Sequence, residues 1–448
     1  MESPVQAPPK IAILGAGIAG LAVAIGLIKR NVPVTVYEAA DRFSVVGAGI
    51  GLGPNAMNAM DLINPNFREK YEKVKTRNER PEFENSIFDA LYAEDDFGAR
   101  RGWTRGLIGA PYFTRSSAHR KDLLDIMESF IPEGTVRFGK RAQSIEQVEN
   151  HVLVGFEDGT TETFDAVIGC DGVKGISRRA ILGDIAPEEV QPAFCGMYIY
   201  RGIIPMEQAK EILGVHAGDA KFFMADGKGV AIYPISQGRE ENFVFFVLTP
   251  DPWTHGDVAI PCKKEDMIKD LEGFDSRLLK LLDYARPLRW PTWHHPKTST
   301  FYKGRVCLLG DVAHACAPHQ AAGAGQGLED AALLSQLIAL VETPDEFDVA
   351  FQVYDAVRRP RAQRAVLTSF EAGLLYTWQH PEIGGDMQKI AENANQRLHW
   401  IWQYDLEADI RKASEDFRKL VLQRRDTSRD GNTTNLNELG SLGRIKCT

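Results

Sequence analysis

The chain has 448 residues, enough for two domains or for one large domain with a cap. Hydrophobic residues make up 44% and charged residues 25%, which is ordinary for a globular protein in water. The formal net charge of −9 and the absence of a Lys/Arg cluster argue against a nucleic-acid partner.

The six cysteines form no C-x-x-C pair, and several lie in apolar runs. We therefore expect buried thiols in a reducing compartment, and neither disulfides nor a metal site. Residues 1–10 are polar and proline-rich and lack the pattern of a signal peptide. Residues 11–28 reach the nominal length of a membrane span, but their four glycines favour a buried strand, turn and helix. We expect a cytoplasmic protein without a membrane span.

Residues 10–38 predict a strand, a glycine turn, a helix and a second strand. The turn GAGIAG contains Gly15, Gly17 and Gly20. In such a unit the first glycine permits the tight turn, the second lets backbone approach a pyrophosphate, and the third lets helix pack on strand. The helix N-terminus offers N–H groups to phosphates, and Glu38 can accept hydrogen bonds from ribose hydroxyls. The unit predicts a dinucleotide site, with NAD and FAD both open.

Between residue 47 and about residue 300, the composition and the predicted secondary structure change several times. Residues 47–57 are glycine-rich and open a helix, and residues 66–106 are charged and irregular. Within them, the run REKYEKVKTRNERPEFE at 68–84 indicates a solvated face. A helix starts within residues 116–127. Residues 151–172 predict a hairpin with an Asp-Gly turn and then a buried strand. Strand-like, aromatic-rich segments between about 190 and 300 indicate a second, sheet-rich domain.

The stretch GDVAHACAPHQAAGAGQG, residues 310–327, decides between the two dinucleotides. Asp311 follows a strand, at the carboxyl end where open α/β sheets bind ligands, and it suits the hydroxyls of a sugar-alcohol chain. Pro318 has no N–H and can line a flat ring. The Ala/Gly run then opens a helix whose N-terminal dipole favours an anion, such as a reduced isoalloxazine. The combination favours FAD.

Three segments resemble, in order and spacing, the fingerprints of the class A flavoprotein aromatic hydroxylases: GAGIAG with Glu38, GCDGVKGISRR at 169–179, and GDVAHACAPHQAAGAGQGLEDA at 310–331. The similarity runs from about residue 10 to 365. It implies an α/β fold similar to p-hydroxybenzoate hydroxylase, in which a Rossmann-type FAD-binding domain carries an inserted sheet-rich substrate domain and a helical C-terminal region.

The chain is divided accordingly. The expected units are a FAD-binding domain of residues 8–190 and 300–365, a substrate domain of residues 191–299, a C-terminal helical region of residues 366–425, and a flexible tail of residues 426–448.

The resemblance implies that FAD lies on the Rossmann unit, with Glu38 at the adenosine ribose and Asp311 at the ribityl or pyrophosphate region. The other residues expected to bind it are Gly15, Gly17, Gly20, Gly51, Arg120, Asp171, Pro318, Gly323 and Ala324. Asp171 belongs to a motif linked to both FAD and transient NAD(P)H binding. The sequence leaves NADH and NADPH open as the reductant.

The implied reaction is reduction of FAD by NAD(P)H, capture of O2 as a C4a-hydroperoxide, and transfer of one OH to an electron-rich ring. A phenol has a pKa of about 10, so ionising it near pH 7 costs about 4 kcal/mol. A neighbouring cation lowers such a pKa by about 1–3 units. Arg201 and Tyr233 match positions that bind or activate the phenolate in the fungal dearomatising branch. An interface ion pair and a packed aromatic are equally open readings of the two residues.

His319 is expected beside the flavin ring, where it either hydrogen-bonds a substrate hydroxyl or carboxylate or only shapes its loop. Among the branches, the chain is most similar to the salicylate 1-monooxygenases, including residues 393–410 outside the shared fingerprints. Such enzymes hydroxylate the carboxylate-bearing carbon and release CO2 and catechol.

Two alternatives stay open. One is a related phenol hydroxylase of a fungal secondary pathway, including dearomatising ortho-hydroxylation, and the other is an FAD oxidase or dehydrogenase. The expected partners are a small phenolic substrate and O2, and the expected assembly is a monomer or homodimer.

Overall fold

The computed structural model describes residues 8–43, 48–256 and 258–429. Its strands are β1 (Ile11–Leu14), β2 (Val34–Tyr37), β3 (Gly49–Gly51), β4 (Ser86–Tyr92), β5 (Leu107–Gly109), β6 (Ser117–His119), β7 (Val136–Arg137), β8 (Ala142–Val148), β9 (His151–Phe156), β10 (Thr161–Phe164), β11 (Ala166–Gly169), β12 (Ala193–Pro205), β13 (Lys221–Ala225), β14 (Lys228–Ile235), β15 (Glu240–Leu248), β16 (Ile260–Pro261), β17 (Leu288–His294), β18 (Tyr302–Lys303) and β19 (Val306–Leu308). Its helices are α1 (Ile18–Lys29), α2 (Pro54–Ile63), α3 (Pro65–Glu72), α4 (Arg120–Glu128), α5 (Ile176–Leu182), α6 (Met206–Leu213), α7 (Lys264–Asp270), α8 (Ser276–Lys280), α9 (Asp311–His314), α10 (Gly323–Ile338), α11 (Phe347–Tyr376), α12 (Met387–Arg397), α13 (His399–Trp402) and α14 (Leu406–Arg429).

A six-stranded sheet with the order β18-β19-β11-β1-β2-β7 organises the first half of the fold. The strands β19, β11, β1, β2 and β7 run parallel, and β18 is antiparallel at one edge. Strands β1, β11 and β19 are buried along their whole length, as their continuous apolar sequences predict for a sheet covered on both faces. Helices α1 and α10 pack against each other. The predicted strand–helix–strand unit at residues 10–38 is confirmed.

An eight-stranded, mostly antiparallel sheet has the order β16-β17-β12-β15-β14-β13-β4-β5. Its inner strands, β12 to β15, are the aromatic-rich segments of the sequence. The expectation that residues 66–106 are irregular is wrong in part, because Ser86–Tyr92 is β4, which pairs in parallel with β13. The larger sheet is therefore assembled from two separate stretches of chain. The apolar segment SIFDALY forms β4 and is almost wholly buried, although charged residues flank it.

The remaining elements flank these two sheets. The predicted hairpin is confirmed as β9 and β10, which join β8 in a small antiparallel sheet. After residue 345 the described chain is helical, from α11 to α14, and α14 continues to Arg429. Residues 426–429 are thus helical, which corrects the start of the expected tail, and residues 430–448 lie outside the described residues. Within the described ranges, every helix is too short or too polar to span a bilayer. The α/β fold class is confirmed.

Candidate active site

A cavity of about 440 Å³ lies where the carboxyl ends of β1, β11 and β19 face β12 and β14 of the larger sheet. Ligands of open α/β sheets bind in the crevice outside the carboxyl ends of the strands, which is this edge. The cavity is lined by Gly17, Ile18, Ala19, Ala48, Gly49, Ile50, Gly51, Arg120, Cys170, Gly172, Arg201, Tyr233, Gly310, Asp311, Cys316, Pro318, Ala321, Ala322, Gly323, Ala324 and Gly327. It thus brings together all three sequence fingerprints.

Two of the first three glycines permit close backbone packing behind the cavity. Gly15 has φ +104°, and a Cβ there would lie 2.4 Å from the carbonyl oxygen of Cys170. A Cβ on Gly20 would lie 2.0 Å from the carbonyl oxygen of Gly15. Neither glycine lines the cavity, but together they let α1 begin directly against the ends of β1 and β11.

Gly17 is the glycine that faces the open space. No atom lies within 4 Å of a Cβ built on it, and it caps α1 without any side-chain hydrogen bond. The first N–H groups of a helix have no partner within the helix, so the start of α1 presents donors and a partial positive charge to the cavity. Glu38 lies behind it, where its carboxylate accepts hydrogen bonds from the backbone N–H groups of Ala16 at 2.7 Å and Ala40 at 2.9 Å.

A second helix N-terminus at the cavity, besides that of α1, comes from the Ala/Gly run at residues 321–327. Asp311 is exposed on the cavity wall at the start of α9, after Gly310, which has φ +76°. Pro318 begins a short 3₁₀ turn, and Ala321, at φ +50°, lets the chain turn from it into α10. Helix α10 starts at Gly323 and has no side-chain cap. Two helix N-termini therefore converge on one cavity, which is the donor arrangement that an extended anion requires.

Asp171 has a different position from its neighbours. Cys170 and Gly172 line the cavity, whereas Asp171 turns into the protein and accepts a hydrogen bond from the backbone N–H of Ser177 at 3.0 Å. Its Oδ1 is buried without a partner, and burial raises the pKa of the carboxyl. Asp171 thus shapes the loop between β11 and α5 from inside.

Arg178 belongs to the second fingerprint, and an arginine at such a position would by default form a surface ion pair, but it is buried here. Its guanidinium donates to the carbonyl oxygens of Glu189 at 2.6 Å, Lys297 at 2.9 Å and Val312 at 3.1 Å. It therefore joins the loop after β11 to α9, which begins with Asp311. Its acceptors are carbonyl oxygens from separate parts of the chain, so the motif alone does not show these contacts.

A buried ionic network fixes α10 behind the cavity. Arg358 of α11 donates to Glu329 at 2.6 Å and to Asp330 at 2.7 Å, and all three side chains are fully buried. Asp330 also accepts from His314 of α9 at 2.5 Å and from the backbone N–H of Gly310 at 3.3 Å. The network therefore holds α9, α10 and α11 together beside the cavity.

Arg201 on β12 lies on the cavity wall and packs over the ring of Trp290 at 4.1 Å. No described carboxylate lies within ion-pair distance of it. Burial and the like charges of Arg120 and Arg286 lower its pKa, but a guanidinium remains protonated at neutral pH. This end of the cavity therefore carries uncompensated positive charge.

Tyr233 on β14 is the neighbour of Arg201. Burial raises the pKa of its phenol to about 12, although Arg115 and Arg201 act in the opposite direction. It is therefore a neutral hydrogen-bond donor at physiological pH. Its ring packs close to Gly49, where a Cβ would lie 2.7 Å from the ring edge.

His319 does not line the cavity. It is buried in the turn after Pro318, against Phe246, with ring centroids 4.6 Å apart. Both ring nitrogens lack partners among the described residues, and burial lowers the pKa to about 3. At neutral pH the imidazole is therefore uncharged. Gly373 of α11 makes room for it, since a Cβ there would lie 2.9 Å from the ring.

Nine of the fourteen predicted site residues therefore line the cavity itself. They are Gly17, Gly51, Arg120, Arg201, Tyr233, Asp311, Pro318, Gly323 and Ala324. The five that do not line it are Gly15, Gly20, Glu38, Asp171 and His319.

Comparisons with known proteins agree with this arrangement. The family described as the FAD binding domain matches residues 9–369. An FAD-dependent monooxygenase of Gibberella moniliformis is 41% identical over 92% of this chain and 97% of its own length. A 6-methylsalicylate 1-monooxygenase of Aspergillus terreus is 35% identical over 92% of this chain and 93% of its own length.

A solved structure, a salicylate hydroxylase substrate complex, has a TM-score of 0.79 and 31% identity. The match covers 91% of this chain and 98% of that one. Both the residues around the cavity and the whole-chain similarity lead to the same assignment. The chain belongs to the FAD-dependent monooxygenases that carry the FAD binding domain.

Proposed function

We propose that this enzyme hydroxylates a phenolic aromatic acid with NAD(P)H and O2, and that its substrate is salicylate, which it converts to catechol and CO2. The observation that carries the proposal is the pairing of Arg201 and Tyr233 on the cavity wall, an uncompensated cation beside a neutral donor. Such a pair suits a substrate oxygen that carries negative charge.

The residues of the cavity fit FAD. The open space beside Gly17 and the uncapped starts of α1 and α10 supply backbone donors for a pyrophosphate and for an anionic ring edge. Asp311 is exposed on the wall and suits ribityl hydroxyls. The other residues proposed to hold FAD are Gly15, Gly20, Glu38, Gly51, Arg120, Asp171, Pro318, Gly323 and Ala324. Held by these residues, FAD would supply the redox chemistry, by which two electrons from NADH or NADPH and one oxygen atom of O2 would reach the reaction.

Arg201 and Tyr233 act on the substrate itself. A guanidinium beside the phenol favours loss of its proton, and the Tyr233 hydroxyl donates a hydrogen bond to the resulting phenolate. The electron-rich phenolate ring then forms a bond to oxygen at the carbon that carries the carboxylate. The bond to the carboxylate breaks, its electron pair stays in the ring, and CO2 leaves.

The overall reaction balances. Salicylate, NAD(P)H, O2 and two protons give catechol, NAD(P)⁺, CO2 and water. His319 does not line the cavity, so we propose that it shapes the turn after Pro318 in its neutral form, since burial lowers its pKa to about 3.

Product analysis tests the proposal. Purified holoenzyme is given salicylate, NADH or NADPH, and O2, and the catechol, CO2 and peroxide formed are measured. We expect catechol and CO2 in equal amounts, matched to the reductant consumed. Reductant oxidation that yields only hydrogen peroxide would contradict salicylate as the substrate.

The fungal relatives support a second candidate of the same class. The 35% identity to a 6-methylsalicylate 1-monooxygenase favours a ring-substituted salicylate. The same assay with 6-methylsalicylate separates the two: a kcat/KM more than tenfold higher than with salicylate would assign the substituted ring.

A further inference from the structure

Arg115 is a buried arginine at the edge of the cavity to which no part of the proposed reaction assigns a role. It is 6% exposed, and its guanidinium donates to the carbonyl oxygen of Ile87 at 2.7 Å. Its Nε is buried without a partner, and no described carboxylate lies within 4.0 Å. Buried arginines are normally paired with a carboxylate or fully hydrogen-bonded, because an uncompensated charge is costly inside a protein.

The guanidinium lies against the ring of Tyr233, beside the cavity. Its centre is 4.8 Å from the centroid of the Tyr233 ring, so the cation faces the ring. Its Nη2 is 3.7 Å from the position of a Cβ on Gly51, a residue of the cavity wall. A narrow crevice lined by Arg115, Gly51 and Ala321 adjoins the cavity at this point.

The ionisable groups around Arg115 and Tyr233 leave the positive charge of Arg115 uncompensated. Tyr71, Tyr233 and Glu241 are the groups whose charge acts on Arg115. Burial raises the pKa of Tyr71, and burial raises that of Glu241 to about 8, so both are mainly neutral at pH 7. Arg115 and Arg201 both act to lower the pKa of Tyr233, against the effect of its burial.

We propose that Arg115 is a positioning residue for Tyr233, which fixes the ring from behind and makes its hydroxyl a stronger donor toward an anionic substrate oxygen. A cation near a phenol stabilises the phenolate, which makes the O–H more acidic and its hydrogen bond to an anion shorter and stronger. Two guanidinium groups thus act on one hydroxyl, Arg201 from the cavity wall and Arg115 from the interior. The proposal rests on the role proposed above for Tyr233.

The test reads Tyr233 directly and needs no substrate. The FAD-loaded enzyme is labelled with 3-fluorotyrosine, which makes the phenols more acidic, and ¹⁹F spectra are recorded against pH. The Tyr233→Phe variant identifies the resonance of Tyr233 among the 12 tyrosines. We expect Arg115→Met to raise the titration midpoint of Tyr233 by about one pH unit, a tenfold fall in its dissociation constant.

Two variants distinguish charge from packing. Arg115→Lys keeps a cation and should recover most of the shift. Arg30→Met removes another arginine that donates to carbonyl oxygens, of Gly26 and Leu62, and should leave the Tyr233 midpoint unchanged. An Arg115→Met midpoint equal to that of the unsubstituted enzyme would overturn the proposal, and so would an equal shift in Arg30→Met.

A double-mutant cycle of Arg115 and Tyr233, measured as kcat/KM with salicylate, provides the second test. We expect Arg115→Met to lower kcat/KM about tenfold in the native background and less than twofold in a Tyr233→Phe background, because the effect passes through the hydroxyl. Equal losses in both backgrounds would contradict action through Tyr233. If the enzyme does not turn over salicylate at all, the proposed substrate fails while the ¹⁹F titration still decides the role of Arg115.

Discussion

Gly20 packs directly on the backbone of Gly15: a Cβ on Gly20 would lie 2.0 Å from the carbonyl oxygen of Gly15. This contact sets the distance between α1 and the end of β1, and with it the position of the N–H groups that face the cavity. The obstacle is backbone, which has no rotamer to change, so the helix itself has to move when a side chain is added.

The first prediction follows from this contact. Gly20→Ala is expected to destabilise the fold by about 1–3 kcal/mol, as overpacking usually does, and to weaken FAD binding at least tenfold. Fluorescence titration of the apoprotein with FAD and urea unfolding measure the two effects. Gly256→Ala is the control, since a Cβ there meets no atom within 4 Å, and it should change neither.

The second prediction concerns the cation on the cavity wall. Arg201→Ala is expected to lower kcat/KM for hydroxylation by at least tenfold, because a neighbouring cation lowers a phenol pKa by about 1–3 units. The visible spectrum of bound FAD should persist. Arg286→Ala removes a nearby cation that does not line the cavity and should keep most of the activity. Near-normal turnover by Arg201→Ala would remove this residue from the reaction.

The third prediction concerns pH. The pKa of His319 is lowered to about 3 in the folded protein, so below pH 6.5 the unfolded chain binds more protons. Stability therefore falls as the pH drops from about 6.5 toward 3. Between pH 7 and pH 5 this histidine costs about 2 kcal/mol, which His319→Gln should recover. Urea unfolding of the unsubstituted protein and of His319→Gln at pH 7 and pH 5 measures this difference. An identical pH dependence of the two free energies of unfolding would mean that the pKa of His319 is not lowered in the folded protein.

The fourth prediction compares two adjacent arginines. Arg358→Met leaves Glu329 and Asp330 buried with fewer partners and is expected to cost about 3–5 kcal/mol of unfolding free energy. Arg359→Met breaks the more exposed pair with Asp355 and should cost at most about 1 kcal/mol. Chemical denaturation measures both. Similar costs would mean that Arg361, which also pairs with Glu329, compensates for the loss.

Much of the site could be predicted because its signals are local. Gly15, Gly17 and Gly20 directly follow an apolar strand, and Asp311 directly follows another. Parallel strands bring their carboxyl ends to one edge of the sheet, so these short patterns are enough to place the site.

The rest depends on contacts between distant parts of the chain. The pairing of β4 with β13 joins residues about 130 positions apart, and charged flanks mask the apolar run of β4. Arg115 belongs to no pattern, because what distinguishes it is the lack of a carboxylate in its folded surroundings. His319 was expected beside the flavin ring, but its burial depends on Gly373, which lies far along the chain.

The strands of the two sheets alternate along the chain, which limits the order in which they can pair during synthesis on the ribosome. Strand β11 meets its partner β19 only after more than three hundred residues have been synthesised, and β4 meets β13 only after more than two hundred. Pairings of this kind form slowly and leave apolar edges uncovered in the meantime. A fragment ended near residue 190 would therefore lack β13 and leave one edge of β4 unpaired, and such an apolar edge invites aggregation.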